Sequence, residues 1–305
     1  MYERFFYLTE RPFHITPDPA FLYLSGGHRE ALDLMLYGIT GKRGFVLLTG
    51  EVGTGKTTLC RALLERLPKK TGSALILNPI LSERELLGTI VADFGITPAD
   101  TTAKGHLEGL NGFLIKEAES GGNAAVIIDE AQLLGLGALE MLRVLSNLET
   151  EKEKLLQIIL VGQPELDGRL KDAGLRQLNQ RIAVRHRLAP LGPGDTHAYI
   201  QNRLFVAGGR GAVAFDEAAS LAVYKGSAGV PRAINVICDR ALTAAFTEEK
   251  RAIDAVIVRK AVEELRREGC LPQRAEPVYE RYYAHLALML LALAFMIAVV
   301  WGPKP

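Results

Sequence analysis

The sequence has few cysteines and almost no net charge. Its three cysteines, Cys60, Cys238 and Cys270, are odd in number and widely spaced, so they form neither a C-x-x-C pair nor a disulfide framework. Free thiols of this kind indicate a reducing compartment. The net charge of +1 excludes a strong global field that would draw the chain onto nucleic acid or an acidic surface.

The sequence also lacks internal repeats and low-complexity tracts. Its first residues do not combine a basic segment with a long apolar run, so we expect no signal peptide. With 305 residues, of which 48% are hydrophobic and 23% charged, the chain can build one large core or two modest domains.

Apolar runs alternate with helical patterns from residue 44 to about residue 190. The predicted strands are Gly44–Thr49, Ala74–Leu77, Ala124–Ile128, Leu155–Val161 and Ile182–Leu188. The first four are nearly continuous apolar runs, as in strands covered on both faces, whereas the fifth alternates and is typical of an edge strand. We therefore predict an α/β core over residues 1–192, with a five-stranded parallel sheet flanked by helices.

Strand signals stop after residue 190, and a small all-helical domain is predicted over residues 193–268. The first predicted helix has Asp195 as its N-cap and runs to about Ala207. Three further helices are predicted at Asp216–Lys225, Pro231–Thr247 and Asp254–Glu268. Residues 269–281 contain Pro272 and Pro277 and are interpreted as a linker.

Residues 282–301 form a long apolar stretch near the C-terminus. At about 1.5 Å per residue, a helix of this length matches a hydrocarbon core of roughly 30 Å. Tyr282, Tyr283 and Trp301 stand at its two ends, where aromatic rings favour membrane interfaces. The basic excess on its N-terminal side predicts a single-pass inner-membrane helix with the large domain in the cytoplasm. A buried core helix is the alternative interpretation.

A phosphate-binding loop is predicted between the first strand and the following helical pattern. The segment Gly50-Glu51-Val52-Gly53-Thr54-Gly55-Lys56-Thr57, followed by Thr58, fits G-x-x-x-x-G-K-[ST]. Glycines let backbone N–H groups turn inward toward phosphate oxygens, and the helix N-terminus favours the same anion. Lys56 can reach the β- and γ-phosphates of ATP, and the Thr57 hydroxyl can ligate Mg²⁺.

Two carboxylates, Asp129 and Glu130, follow the third predicted strand. Ligands of open α/β sheets bind beyond the carboxyl ends of the strands. Asp129 is therefore a candidate Mg²⁺ ligand, and Glu130 is the candidate general base that polarises the attacking water. Taken by themselves, the two carboxylates could form an ordinary acidic turn. Because they follow a phosphate loop in the sequence, we interpret them as part of a site for ATP hydrolysis.

Four further polar residues are candidates for contacts with the nucleotide. Gln163 follows the fourth strand and can touch the γ-phosphate or the water, although a simple turn residue before Pro164 is an equal alternative. Arg176 and Arg181 precede the fifth strand and can project into a neighbouring subunit's site, or lie in solvent. Arg232 opens a helix after Pro231 and can lean onto the phosphates, or be an ordinary first-turn arginine.

The order of these features resembles AAA+ ATPases, and more narrowly the ExeA/GspA-like ATPases associated with type II secretion and type IV pilus biogenesis. The segments that carry the resemblance are Met1-Tyr2, Phe5-Phe6, Pro12-Phe13, Thr16-Pro17-Asp18-Pro19, Phe21-Leu22-Tyr23-Leu24-Ser25, His28-Arg29-Glu30-Ala31-Leu32, Asn78-Pro79-Ile80-Leu81-Ser82, Glu85-Leu86-Leu87, Asp129-Glu130-Ala131-Gln132, Leu145-Ser146-Asn147-Leu148-Glu149, Gly162-Gln163-Pro164-Glu165-Leu166, Leu178-Asn179-Gln180-Arg181-Ile182 and Gly229-Val230-Pro231-Arg232-Ala233-Ile234-Asn235.

The resemblance implies ATP hydrolysis by a homo-oligomer, with Arg181 as the finger acting in trans, Gln163 as first sensor and Arg232 as second sensor. It also implies a membrane-anchored ATPase that drives or gates assembly of a cell-envelope machine for secretion, pilus or exopolysaccharide export, together with a partner protein. The turn near Tyr23–His28 is a candidate for the adenine by the same resemblance. The alternatives are a DNA-binding AAA+ regulator like the transposition helper ATPases, and a scaffold that binds ATP without turnover; nucleic acid is not expected as a partner.

Overall fold

The computed structural model describes residues 2–16, 18–151, 153–209 and 211–271. The helices are α1 (Tyr2–Phe5), α2 (Gly26–Thr40), α3 (Lys56–Arg66), α4 (Glu83–Asp93), α5 (Ala103–Glu119), α6 (Leu136–Leu145), α7 (Pro164–Arg169), α8 (Arg176–Gln180), α9 (Pro193–Val206), α10 (Glu217–Ser227), α11 (Pro231–Thr247) and α12 (Ala255–Arg267). The strands are β1 (Phe45–Gly50), β2 (Thr71–Ile76), β3 (Asn123–Ile128), β4 (Gln157–Gly162), β5 (Ile182–Leu188), β6 (Ala214–Phe215) and β7 (Ala252–Ile253).

The first five strands form one parallel sheet in the order β2-β3-β4-β1-β5. Since successive side chains of a strand point to opposite faces, each strand contributes to two cores. Phe45 and Leu47 belong to the core that also contains residues of α4, α5 and α6, whereas Val46 and Leu48 belong to the core with residues of α2 and α3. This confirms the predicted parallel α/β core with helices on both faces.

The fifth strand lies at one edge of the sheet, beside β1. Ile182, Val184 and His186 are half-buried, whereas Arg185 and Arg187 on the other face are exposed. The alternating pattern of the sequence therefore predicted this edge correctly.

The region after the α/β core is not entirely helical. The two-residue strands β6 and β7 pair in parallel, with Ala214 opposite Ala252 and Phe215 opposite Ile253. The prediction of an all-helical lid was wrong here because two residues are too short to produce a strand alternation. The pair joins the segments that lead into α10 and α12.

The start of α9 also differs from the prediction. The helix begins at Pro193, with Gly192 as its N-cap, so Asp195 lies inside the first turn. Proline suits the first helical position because it has no N–H to leave unsatisfied. The Asp195 carboxylate instead accepts a hydrogen bond from the Tyr23 hydroxyl at 3.1 Å.

The N-terminal segment packs against helices that are far away in the sequence. The Tyr2 hydroxyl donates to Asp239 of α11, and the Phe5 ring meets Phe246 edge-on with centroids 5.5 Å apart. The backbone N–H of Thr9 donates to the carbonyl of Ala207 at 2.9 Å. The chain therefore crosses α11 and the end of α9 before it enters the α/β core.

The described residues up to Ala261 form one compact unit, and a second unit begins at Val262. Among the described residues, no helix combines the length and the apolar character that a membrane crossing requires. The predicted spanning segment, 282–301, and most of the predicted linker lie outside the described residues. The predicted domain boundaries at residues 192 and 268 stay predictions.

Candidate active site

The phosphate-loop sequence lies between β1 and α3, in the predicted context. Gly55 is the N-cap of α3 and adopts a left-handed conformation with φ of 98°. A Cβ at this position would also approach the His28 imidazole to 3.1 Å, so both the backbone and the space favour glycine. The loop therefore presents the N-terminus of a helix of 11 residues to the adjoining cavity.

Lys56 is buried at the base of this loop. Its ammonium group donates hydrogen bonds to the carbonyl oxygens of Gly50 at 2.8 Å and Glu51 at 3.0 Å. Burial lowers the pKa of Lys56, and the nearby carboxylates of Glu130 and Asp129 oppose that effect. A desolvated ammonium whose hydrogen bonds go to two neutral carbonyls attracts an anion that enters the cavity.

Thr57 and Asp129 bring oxygen ligands together at the ends of α3 and β3. The Thr57 hydroxyl donates to Asp129 Oδ2 at 2.5 Å, and the N–H of Glu130 donates to Asp129 Oδ1 at 2.9 Å. Burial raises the pKa of Asp129, although both hydrogen bonds act in the opposite direction. A hydroxyl and a carboxylate are hard oxygen donors of the kind that Mg²⁺ prefers, so these two side chains fit that ion.

Glu130 lines the same cavity as Lys56 and Thr57. It adopts the left-handed conformation, with φ of 50°, which is uncommon for a residue other than glycine. Its Oε2 accepts a hydrogen bond from the Gln132 amide at 2.5 Å and a longer one from the Gln163 amide at 3.4 Å. The structure therefore places the carboxylate of Glu130 beside the end of β4.

The structure brings Gln163 and Arg232 to the site, but not Arg181. Arg232 is exposed and lines the cavity. Its backbone N–H donates to the carbonyl oxygen of Gly53 at 3.2 Å. Arg181 is half-buried and donates to the Ser146 hydroxyl at 3.0 Å, so it contacts its own subunit's α6 end rather than the cavity. The roles predicted for the three side chains stay predictions.

Gly229 fixes the segment that leads to Arg232. It has φ of 75°, and a Cβ there would lie 2.0 Å from the carbonyl oxygen of Leu191. The N–H of Leu191 also donates to the carbonyl of Gly229 at 2.9 Å. The chain entering α9 and the chain entering α11 are thus joined directly beside the loop.

The cavity has a volume of about 410 Å³, within the range of pockets that bind small ligands. Its lining residues are Ile15, Thr16, Asp18, Phe21, Leu22, Tyr23, His28, Val52, Gly53, Gly55, Lys56, Thr57, Thr58, Leu59, Glu130, Leu191, Tyr199, Arg203, Pro231, Arg232 and Asn235. Gly50, Glu51 and Thr54 of the predicted loop do not line it. Thr54 is buried and its hydroxyl donates to the carbonyl of Glu51 at 2.8 Å.

Two groups of lining residues were missed from the sequence. Arg203 is buried with its guanidinium carbon 4.8 Å above the Phe21 ring centroid, and it donates to the Tyr199 hydroxyl at 2.9 Å. That hydroxyl donates in turn to Asn235 at 2.9 Å. The four positions are spread from residue 21 to residue 235, so only the fold joins them. Tyr and Arg four residues apart in α9 were the one local signal.

The second part of the lining that sequence reasoning missed is a single residue, His28. The sequence indicated it only as a member of the turn that is a candidate for binding adenine. Its Nε2 lies 2.9 Å from the carbonyl oxygen of Thr54, and its Nδ1 lies 2.6 Å from the Ser25 hydroxyl. Burial lowers the pKa of His28, against the influence of the Thr54 carbonyl and Asp195. A neutral imidazole that donates from Nε2 and accepts at Nδ1 satisfies both contacts.

The sheet, the loop and the acidic pair together define a P-loop NTPase of the AAA class. Residues 39–170 match the family described as "AAA domain". The chain is 48% identical over 255 residues to General secretion pathway protein A of Aeromonas hydrophila, across 83% of this chain and 46% of that protein. The chain is a GspA-like AAA protein, and the predicted resemblance is confirmed. It spans about half the length of the curated relative it matches.

Solved structures of several other proteins share the fold. Aeropyrum pernix ORC2 in ADPNP-ADP complexes matches with a TM-score of 0.61 and 19% identity, over 84% of this chain and 71% of that chain. Cdc6p of Pyrobaculum aerophilum matches with a TM-score of 0.58 and 19% identity, over 82% of this chain and 71% of that chain. The Thermotoga maritima RuvB Holliday junction branch migration motor matches with a TM-score of 0.53 and 21% identity, over 78% and 68%. At these identities the likeness concerns the fold alone.

Proposed function

We propose that the chain hydrolyses ATP at the cavity between the phosphate loop and Glu130. The observation that carries the proposal is that three groups line a single cavity: the buried ammonium of Lys56, the hydroxyl of Thr57, which is hydrogen-bonded to the Asp129 carboxylate, and the carboxylate of Glu130. These are the groups that phosphoryl transfer to water requires.

The reaction forms a bond between the water oxygen and the γ-phosphorus and breaks the bond from that phosphorus to the β–γ bridging oxygen. The bonding electron pair leaves with ADP, and the proton of the attacking water passes to the Glu130 carboxylate. Lys56 binds the β- and γ-phosphates in place of its present carbonyl partners. Mg²⁺, when bound by Thr57 and Asp129, neutralises phosphate charge. Arg232, which lines the cavity, and Gln163, whose amide contacts Glu130, are proposed to contact the γ-phosphate or the water.

We further propose that this activity serves assembly of a cell-envelope machine, as a membrane-anchored homo-oligomer acting with a partner protein. The similarity to General secretion pathway protein A supports a role in secretion. The apolar segment 282–301 supports a single-pass anchor in the inner membrane, with the ATPase in the cytoplasm. Fractionation of the full chain with soluble material after cell lysis would contradict the anchor.

A DNA-binding regulator is the second candidate, since solved structures of similar fold include a Drosophila ORC bound to DNA and a Holliday junction branch migration motor. The net charge of +1 and the ion pairs of Arg185 with Asp167 and of Arg187 with Glu51 disfavour a phosphate-binding surface on β5. Binding of duplex DNA with a steep salt slope would favour this candidate.

Turnover measurements test the ATPase. The full chain is expected to release phosphate from ATP only with Mg²⁺, and Glu130→Gln is expected to lower kcat by about a hundredfold or more while ATP still binds. Glu119→Gln, on an exposed carboxylate at the end of α5, is the matched control and retains wild-type turnover. Equal turnover in the two variants would refute Glu130 as the base.

A further inference from the structure

Gln132 connects the end of β3 with the end of β4 through its side-chain amide. Its Nε2 donates to Glu130 Oε2 at 2.5 Å, and its Oε1 accepts the backbone N–H of Gln163 at 3.0 Å. Both ends of one amide are therefore used, and they join the proposed base to the strand that carries the proposed first sensor. None of the roles assigned above involves this residue.

The surroundings of Gln132 hold the amide in place. Its backbone carbonyl accepts a hydrogen bond from the Arg169 guanidinium, which also donates to the carbonyl of Leu134 at 2.8 Å. Gly162 leaves the space for the amide, because a Cβ there would lie 2.8 Å from Gln132 Oε1. The turn after Glu130 is thus anchored to α7, and the amide has one favourable position.

The two oxygens of the Glu130 carboxylate differ in their hydrogen bonds. The amides of Gln132 and Gln163 both donate to Oε2, so Oε1 is the oxygen left to take a proton from water. An amide donor suits this position because it carries no charge and cannot itself accept the transferred proton at neutral pH. A carboxylate fixed by one oxygen loses a rotational freedom that catalysis would otherwise have to restrict.

We propose that Gln132 is a positioning residue for ATP hydrolysis: it orients the Glu130 carboxylate toward water and ties that orientation to the position of Gln163. The inference rests on the proposed ATPase activity. The strained backbone of Glu130 supports it, since a left-handed φ of 50° in a residue other than glycine is kept only where the surrounding contacts maintain it. A displacement of the β4 end therefore reaches the base through the Gln132 amide and through the longer contact of the Gln163 amide.

Gln132→Met tests the proposal, because methionine has a similar length but cannot donate to Glu130. In the full chain with ATP and Mg²⁺, kcat is expected to fall about tenfold, with KM for ATP within about twofold of wild type. Gln177→Ala, on an exposed glutamine of α8, is the control and keeps the wild-type rate. Thermal melts with and without ADP verify that both variants fold and bind nucleotide.

Gln132→Glu provides a second measurement, because glutamate keeps the length of the side chain but its ionised carboxylate cannot donate a hydrogen bond to Glu130. Its kcat is expected to fall at least as far as that of Gln132→Met, with KM for ATP again within about twofold of wild type. A role in packing alone predicts the opposite order, since glutamate matches the shape of glutamine more closely than methionine does.

The outcomes separate the two proposals. No Mg²⁺-dependent turnover in the wild type would remove the ATPase itself. Turnover that Glu130→Gln abolishes, while Gln132→Met and Gln132→Glu both keep or exceed wild-type kcat, would overturn the role of Gln132 alone. A lower melting temperature or weaker ADP binding in both Gln132 variants, with kcat and KM for ATP changed together, would assign the residue a purely structural role.

Discussion

His28 holds the phosphate loop through a hydrogen bond from its imidazole Nε2 to the carbonyl oxygen of Thr54, at 2.9 Å. The two residues are separated by 26 positions, and both are buried. The bond turns one loop carbonyl toward the histidine and away from the space where phosphate oxygens bind. The loop is thereby kept ready for an anion before any nucleotide arrives.

The first prediction concerns the pH dependence of stability through His28. Because burial lowers its pKa below the ordinary value of 6.5, the unfolded chain takes up a proton that the folded chain does not. Relative to His28→Gln, a neutral side chain that can donate to the same carbonyl, the wild type is expected to lose stability as pH falls below about 6.5. The slope approaches about 1.4 kcal/mol per pH unit until the folded-state pKa is reached. Urea denaturation of both proteins from pH 5 to 8 measures it, and parallel curves would contradict the neutral histidine.

The second prediction concerns Mg²⁺ at Thr57. Thr57→Val removes a hydroxyl that donates to Asp129 and that we propose binds the metal, so Mg²⁺ should no longer tighten ATP binding. Thr57→Ser keeps the hydroxyl and is expected to behave like the wild type. Calorimetric titration of ATP with Mg²⁺ and with EDTA measures the effect. A full Mg²⁺ response in the valine variant would exclude Thr57 as a ligand.

The third prediction compares two glycines with positive φ. Gly229→Ala places a methyl group 2.0 Å from the Leu191 carbonyl oxygen, whereas Gly211→Ala, at φ of 86°, meets open space. The Gly211 variant should lose about 1–2 kcal/mol from backbone strain alone. The Gly229 variant should lose more and should also weaken nucleotide binding, since the segment that leads to Arg232 must move. Equal losses in chemical denaturation would show that the contact with Leu191 relaxes freely.

The fourth prediction separates ATP from ADP at Arg232. If this exposed arginine reaches the γ-phosphate, Arg232→Ala weakens ATP binding about tenfold and leaves ADP binding nearly unchanged. Arg259→Ala, an exposed arginine of α12, is the control. Titration with both nucleotides provides the ratio. A loss of equal size for ATP and ADP would instead place Arg232 on the shared part of the nucleotide.

The fifth prediction concerns complementation by Arg181. Arg181→Ala and Lys56→Ala should each be inactive, and their equimolar mixture should recover about a quarter of the wild-type rate if each site combines both subunits at random. Arg176→Ala replaces Arg181→Ala in the parallel mixture, because the sequence made both arginines candidates. If the first mixture forms mixed oligomers but recovers no ATPase activity, Arg181 acts within its own subunit, where it already contacts Ser146.

The parts of the site that could be predicted from sequence are those whose residues are neighbours in the chain. The loop around Lys56 and the pair Asp129 and Glu130 each lie within a few positions of a strongly apolar strand, so pattern and chemistry coincide. The contact of Gln132 with Gln163 spans 31 positions and depends on β3 and β4 being adjacent in the sheet. No local signal specifies that adjacency.

The errors in the fold have equally physical causes. Aspartate is a common N-cap residue, so Asp195 was predicted to cap α9. The helix instead starts two residues earlier, at Pro193, and the Asp195 carboxylate accepts a hydrogen bond from Tyr23. Strands β6 and β7 consist of two residues each, and their pairing follows from the positions of the helices behind them. Local propensity identifies long elements well and cannot identify such short ones.

The packing of the first residues on α11 has a consequence for synthesis on the ribosome. Tyr2 and Asp239 are 237 positions apart, so the N-terminal aromatic residues emerge long before the helix that covers them has been translated. Phe6, which is fully buried in the finished protein, stays uncovered during that interval. Nascent chains of intermediate length therefore carry an uncovered apolar segment, which chaperones can shield until α11 has been translated.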